Sequence, residues 1–89
     1  MSAKRVDANQ REIVAALRSV PGMTVTCTHM VGFGFPDLAL GFRGRTFLLE
    51  LKSERGQLTR DERKWHERWQ GHIAIVRTID EALAAVGAI

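Results

Sequence analysis

The stretch Gly32-Phe-Gly-Phe-Pro-Asp37-Leu-Ala-Leu40, with Thr46-Phe-Leu-Leu-Glu50-Leu-Lys52 just after it, decides the fold. Between the two lies Gly41-Phe-Arg-Gly-Arg45, which offers a glycine where a turn needs positive φ. A turn centred on Arg43-Gly44 makes residues whose numbers sum to 87 face one another, so Asp37 lies opposite Glu50. Arg-Gly is a weaker turn signal than Asn-Gly, but a four-residue loop with the same centre keeps the pairing. Lys52 shares the face of the two acids because side chains alternate along a strand. The other face collects Leu38, Leu40, Phe42, Phe47, Leu49 and Leu51, and a slip of one residue would drive both acids into that apolar layer. The hydrophobic pattern therefore pins the register that brings the acids together.

Cβ atoms directly opposed across a ladder lie about 4.5–5.5 Å apart, and like charges placed there are destabilising. A surface ion-pair ladder is the plainest reading of acids and a lysine on one strand face. Here Ala39 and Leu48 flank the acids instead of further charge, and Lys52 is one cation against two anions. The pattern favours a divalent cation bridging Asp37 and Glu50.

These residues resemble a known family. Pro36-Asp37, a spacer and then Glu50-Leu-Lys52 is similar to the signature of the PD-(D/E)XK nuclease superfamily. The longer string Gly34-Phe-Pro-Asp-Leu38, Leu49-Glu-Leu-Lys52 and Gly56-Gln-Leu-Thr-Arg-Asp-Glu62 resembles its VRR-NUC branch, the virus-type replication and repair nucleases. The likeness runs from about residue 7 to residue 77 and implies a metal-dependent endonuclease using Mg²⁺ or Mn²⁺. Asp37 and Glu50 would hold the metal, with the Leu51 backbone carbonyl as a third oxygen ligand. Lys52 would orient the attacking water or stabilise the charge at phosphorus. Gln10 matches a glutamine that small relatives carry on the first helix; Glu12 is a looser candidate for the same support. Glu62 stands where the pattern usually has glutamine, which leaves its part in the site open. The resemblance also implies branched DNA, four-way junctions above all, cut by a homodimer in phage or bacterial replication, recombination or repair.

The rest of the chain agrees with a small α/β domain. Eighty-nine residues bury a limited core, for which homodimerisation is a common remedy. Composition is that of an ordinary globular chain, with 45% hydrophobic and 26% charged residues and no apolar run near membrane-spanning length. The charged first twenty residues lack a signal-peptide core, so a cytoplasmic location is expected. Cys27 is the single cysteine, which excludes an internal disulfide and a multi-cysteine zinc site. Net charge +3 suits a polyanionic partner.

In order, Asp7-Ala-Asn-Gln10 reads as a capping box opening a helix of about 8–19, closed by Pro21-Gly22. Met23 to Met30 alternates and is expected to be a strand, with His29 read as structural. Gly32 and Gly34 space a loop whose Phe33 and Phe35 look exposed, and they would let backbone pass close to metal or DNA. Thr59-Arg-Asp-Glu62 is a second capping box, for a helix to about Gln70 with Trp65, Trp69 and Glu62 on one side. The tryptophans are read as core or dimer-interface anchors in preference to a base-stacking platform. His72–Arg77 is a fourth strand, parallel to the third through a helical crossover, and Thr78-Ile-Asp-Glu81 opens a last helix. The expected fold is α/β: a PD-(D/E)XK (restriction-endonuclease-like) core, αβββαβ with a C-terminal helix and a mixed four-stranded sheet, in a single domain. Arg43, Arg45, Arg55 and Arg60 are the candidate contacts to DNA phosphates. His29, His66 and His72 show no ligand spacing, and no Ser-His or Cys-His pair suggests nucleophilic catalysis. The competing readings are a non-catalytic nucleic-acid-binding module and an accessory partner protein that keeps the fold.

Overall fold

The structure, a computed structural model, describes residues 8–89; the Asp7 cap lies outside the described residues. The elements are α1 (Ala8–Arg18), β1 (Met23–Cys27), β2 (Leu38–Phe42), β3 (Arg45–Leu51), α2 (Arg60–Arg68), β4 (Ala74–Val76) and α3 (Ile79–Ala85). They form a sheet in the order β1-β2-β3-β4, antiparallel except for the parallel pair β3/β4. This is a restriction-endonuclease-like α/β fold with a mixed four-stranded sheet and a C-terminal helix.

The β2–β3 hairpin has the register set by its hydrophobic alternation, Leu38 opposite Leu49 and Leu40 opposite Phe47. Its two-residue turn has φ of 53° at Arg43 and 78° at Gly44, positive at both centres as a type I′ turn requires. Arginine in that left-handed region is unusual; its guanidinium lies 4.7 Å from the centre of the Phe42 ring. One sheet face carries Leu38, Leu40, Phe42, Leu49, Leu51 and Val76 into the core, where Ile13, Val14 and Leu17 of α1 meet Ala82 and Val86 of α3. Each large apolar side chain so buried contributes roughly 1.5–3 kcal/mol relative to exposure.

Three boundaries differ from the sequence reading, each for a tertiary reason. β1 stops at Cys27; the Thr28 N–H still donates to the Asp37 carbonyl in the same register, but its hydroxyl binds the Pro36 carbonyl, where the chain leaves the ladder. β4 is confined to Ala74–Val76, since the Trp69 indole donates to the His72 carbonyl and the Arg77 N–H to the Glu81 carboxylate. α2 ends at Arg68, with the Trp69 N–H still bonded to the Trp65 carbonyl.

The capping box of α2 is complete: Thr59 Oγ1 accepts from the Glu62 N–H, and Glu62 Oε1 accepts from the Thr59 N–H. None of the α2 residues is fully buried, so the tryptophans are not core anchors. Trp65 is half-buried and stacks on Trp69 at 4.6 Å, while the ring of Phe35, half-buried and not exposed, meets Trp65 edge-on at 5.2 Å. Gly34 adopts φ 85° with its Cα against the first turn of α2, and a Cβ there would lie 2.3 Å from the Asp61 carbonyl oxygen. The close approach that this glycine permits is to helix backbone, not to a metal or a DNA strand.

Gly34→Ala should therefore lower stability by roughly 2–4 kcal/mol, combining backbone strain with overpacking. Gly44→Ala has the same sign of φ but open space around the new methyl, and should cost about 1–2 kcal/mol. Thermal or urea unfolding of the two variants separates these effects; equal losses would mean that contact with α2 contributes nothing.

Candidate active site

Asp37 and Glu50 meet at the open end of the hairpin, on the sheet face away from the α1/α3 core. Pro36-Asp37 is held by Thr28 through both carbonyls, and Asp37 Oδ2 accepts from the Leu51 N–H at 2.9 Å. That amide follows Glu50 directly, so β3 backbone holds one carboxylate beside the other. The Glu50 side chain is only 1% exposed. Its carboxyl is pushed up to about 9, chiefly by burial, then by a hydrogen bond with Asp37, by the Asp37 charge and by Glu62; Lys52 opposes the rise.

Lys52, next on the same face, has its Nζ 2.6 Å from Glu62 Oε1 and 3.8 Å from Glu50 Oε2. Burial alone would raise the Glu62 carboxyl, but hydrogen bonds from Lys52 and the Thr59 N–H hold it below the usual range. In neutral solution Glu50 carries a proton and Lys52 pairs with Glu62. His66, one turn along α2 from Glu62, brings Nε2 to 3.8 Å from Glu50 Oε1, too far for a hydrogen bond, and both atoms are buried without a hydrogen-bond partner. Burial and Lys52 depress the His66 imidazole against the pull of Glu62. With His66 neutral and Glu50 protonated, their approach is not an ion pair.

Gln10, His29, Asp37, Glu50, Leu51, Lys52 and Glu62 line a cleft of about 350 Å³, with Ser53, Gly56 and Gln57 at its rim. The Leu51 side chain is in the core, so its backbone is what it offers the cleft. Asn9 Nδ2 donates to the Lys52 carbonyl, and the Arg77 guanidinium donates to the carbonyls of Ser53 and Gly56, holding the loop beyond Lys52.

The structure thus brings together Asp37, Glu50, Leu51, Lys52, Gln10 and Glu62, and adds His29 to the lining. Glu12 is exposed and outside the cleft. Arg43 and Arg45 sit at the opposite end of the hairpin, about 20 Å from Asp37 at ~3.3 Å per strand residue, where they border a hollow with Phe42 and Val86. Arg55 and Arg60 are exposed beyond the rim. His66 was missed by a search for histidine and cysteine spacings; its signal was the four-residue step from Glu62, which shares one helix face.

Among the described residues no three His, Cys, Asp or Glu side chains group as a metal site. A hard cation is nevertheless matched by this donor set: two carboxylates, one with an unsatisfied buried oxygen, beside a backbone carbonyl and an amide.

Compared with known proteins, the chain matches no family model and no curated protein. Among solved structures it superposes on a VRR_NUC domain with a TM-score of 0.69, covering 88% of this chain and 89% of that one at 19% identity. The fold is that of a VRR_NUC domain.

In a chelator, stability should fall as pH rises from about 5 to about 9. Below the ordinary glutamate value of 4.5 the folded and unfolded states both hold the Glu50 proton, and the stabilisation is complete. Above it only the folded state does, so stability is lost at up to about 1.4 kcal/mol per pH unit until the folded group ionises. Urea titrations across this range should show the decline in the native protein and a flatter profile in Glu50→Gln; parallel profiles would contradict the assignment.

Proposed function

We propose that the protein is a Mg²⁺- or Mn²⁺-dependent endodeoxyribonuclease that hydrolyses phosphodiester bonds in branched DNA, with four-way junctions as the leading substrate. The observation that carries this reading is the Asp37–Glu50 pair, Glu50 buried and Lys52 beside it, in the fold of a VRR_NUC domain. A protein that only binds nucleic acid has no need to press two carboxylates together where phosphate must approach.

Asp37 and Glu50 would hold the cation, with the Leu51 carbonyl as a further oxygen ligand. When bound, the cation supplies positive charge to the phosphoryl oxygens and lowers the pKa of the attacking water. To hold the cation Glu50 would have to be ionised, so its proton would be released to solvent. The Lys52 ammonium, positioned by Asn9 behind it and Glu62 in front, stabilises the negative charge that builds at phosphorus as one P–O ester bond breaks. The cleft, at about 350 Å³, is open enough for a phosphate.

With Mn²⁺ or Mg²⁺, a panel of single-stranded, duplex, flap and four-way DNA should show cleavage, strongest on the four-way form. Calorimetry should show Mn²⁺ binding that Asp37→Asn and Glu50→Gln each abolish, whereas Lys52→Ala should keep the metal and lose about 100-fold or more in turnover. Metal binding without cleavage of any substrate would return the protein to the class of non-catalytic binding modules.

Resolving a junction takes two cuts in opposed strands, and a two-fold dimer would supply two Asp37/Glu50/Lys52 sites in opposite orientation. Light scattering should give about twice the 10.0 kDa chain mass. A monomer both alone and with junction DNA would leave a single-site nickase.

A further inference from the structure

Beside the cleft, along α2, is an open hollow of about 480 Å³ lined by Phe33, Asp61, Lys64, Trp65, Arg68 and Trp69. We propose that it binds an unpaired base of a single-stranded DNA segment, Trp69 and Phe33 stacking on the base while Lys64 and Arg68 meet the flanking phosphates. The inference rests on the nucleic-acid reading above and specifies which part of a branched substrate the protein grips.

Trp69 is fixed before any ligand arrives. Its ring stacks on Trp65 with 20° between planes, its indole N–H donates to the His72 carbonyl, and Gly71 lies so close that a Cβ there would be 2.9 Å from Nε1. A ring held on these sides still leaves 41% of the residue exposed. Phe33 is 90% exposed and sits at φ 56° between two positive-φ glycines. This phenylalanine buries almost nothing within the chain, so its packing supplies no reason for an aromatic side chain at that place. The loop that carries it is seated on α2 through Gly34, so the two aromatic elements form one rigid surface. Bases stack on such rings regardless of sequence, and cations beside them track the backbone.

Charge decides between DNA and a second copy of the chain. A two-fold contact would lay this patch on itself, setting Lys64 and Arg68 against Lys64 and Arg68 with one Asp61 on each side. Phosphates flanking a stacked base complement those cations, and Asp61, also in the lining, can accept from an N–H on the base edge, such as thymine N3–H.

Trp65 and Trp69 are the only tryptophans, and the chain has no tyrosine, so intrinsic fluorescence reports on this hollow. In EDTA, where no cleavage interferes, a short oligothymidylate should quench it saturably. The same backbone with abasic residues should bind about tenfold or more weakly, and a fully paired duplex should quench little. By anisotropy of a labelled strand, Phe33→Ala and Trp69→Leu should each weaken binding about tenfold, with circular dichroism confirming the fold. Lys64→Ala should instead reduce the salt dependence by about one unit of slope. Equal affinity for the abasic strand would overturn the proposal, leaving a charged surface without base recognition. Dimers lost in Trp69→Leu with strand binding unchanged would also overturn it, making the hollow an interface between copies. Because binding is read without metal, stacking can fail while cleavage survives, and cleavage can fail while stacking survives.

Discussion

Glu50 is a carboxyl group shut away from water with a second carboxyl against it and a lysine that is committed elsewhere. Desolvation and like charge both oppose its ionisation, so the fold must hold in place a group that would be more stable outside. The β2–β3 hairpin does this. Its apolar face cannot leave the core, its turn fixes the register, and the acids on the opposite face have no freedom to separate. The Leu51 N–H, bound to Asp37, adds a second restraint at the same point. A small protein that retains such an arrangement against its own stability has a use for it, and the cation of the proposed function would turn the repulsion into attraction.

Helix α2 stands on the other side of this balance. It has no buried residue, and its position is set by polar and aromatic contacts. Glu62 Oε1 alone receives the Thr59 N–H that starts the helix and the Lys52 ammonium that belongs to the site. A glutamine at this place, as the VRR-NUC pattern usually has, could cap the helix through its amide oxygen but would leave the lysine without an anion. The glutamate therefore gives helix capping and lysine positioning one shared atom, and a change in either is felt by the other.

The register was legible because a period-2 apolar pattern admits one solution, and the capping box of α2 was legible because its parts are local in sequence. Strand ends were not. Past β1 the Thr28 hydroxyl turns to the Pro36 carbonyl, and β4 is bounded by the Trp69 indole on His72 and the Arg77 N–H on Glu81, side-chain partners that no periodicity reveals. Arg43 and Arg45, read as phosphate contacts at the hairpin tip, lie at that tip, and the same hairpin that unites Asp37 and Glu50 carries it away from the acids. His66 escaped because its partner in spacing is a glutamate on its own helix, not another metal-type ligand. Trp65 and Trp69 were read by hydrophobicity alone, which predicts burial; they pack instead with each other and with Phe35 on a surface facing outward.

One helix turn connects the two surfaces. Trp65 touches Phe35 and Trp69 on the hollow side, and its ring lies 6.0 Å from that of His66, which faces Glu50. A base pressed onto Trp69 would load a stack whose next members are Trp65 and then His66, the neighbour of Glu50. Gly34 limits how far the helix can yield, because the loop backbone already sits against its first turn. The same constraint keeps Glu62 within reach of Lys52. Cleft and aromatic hollow thus adjoin along one helix, so under the function proposed above a phosphate seated in the first would lie beside a base held in the second.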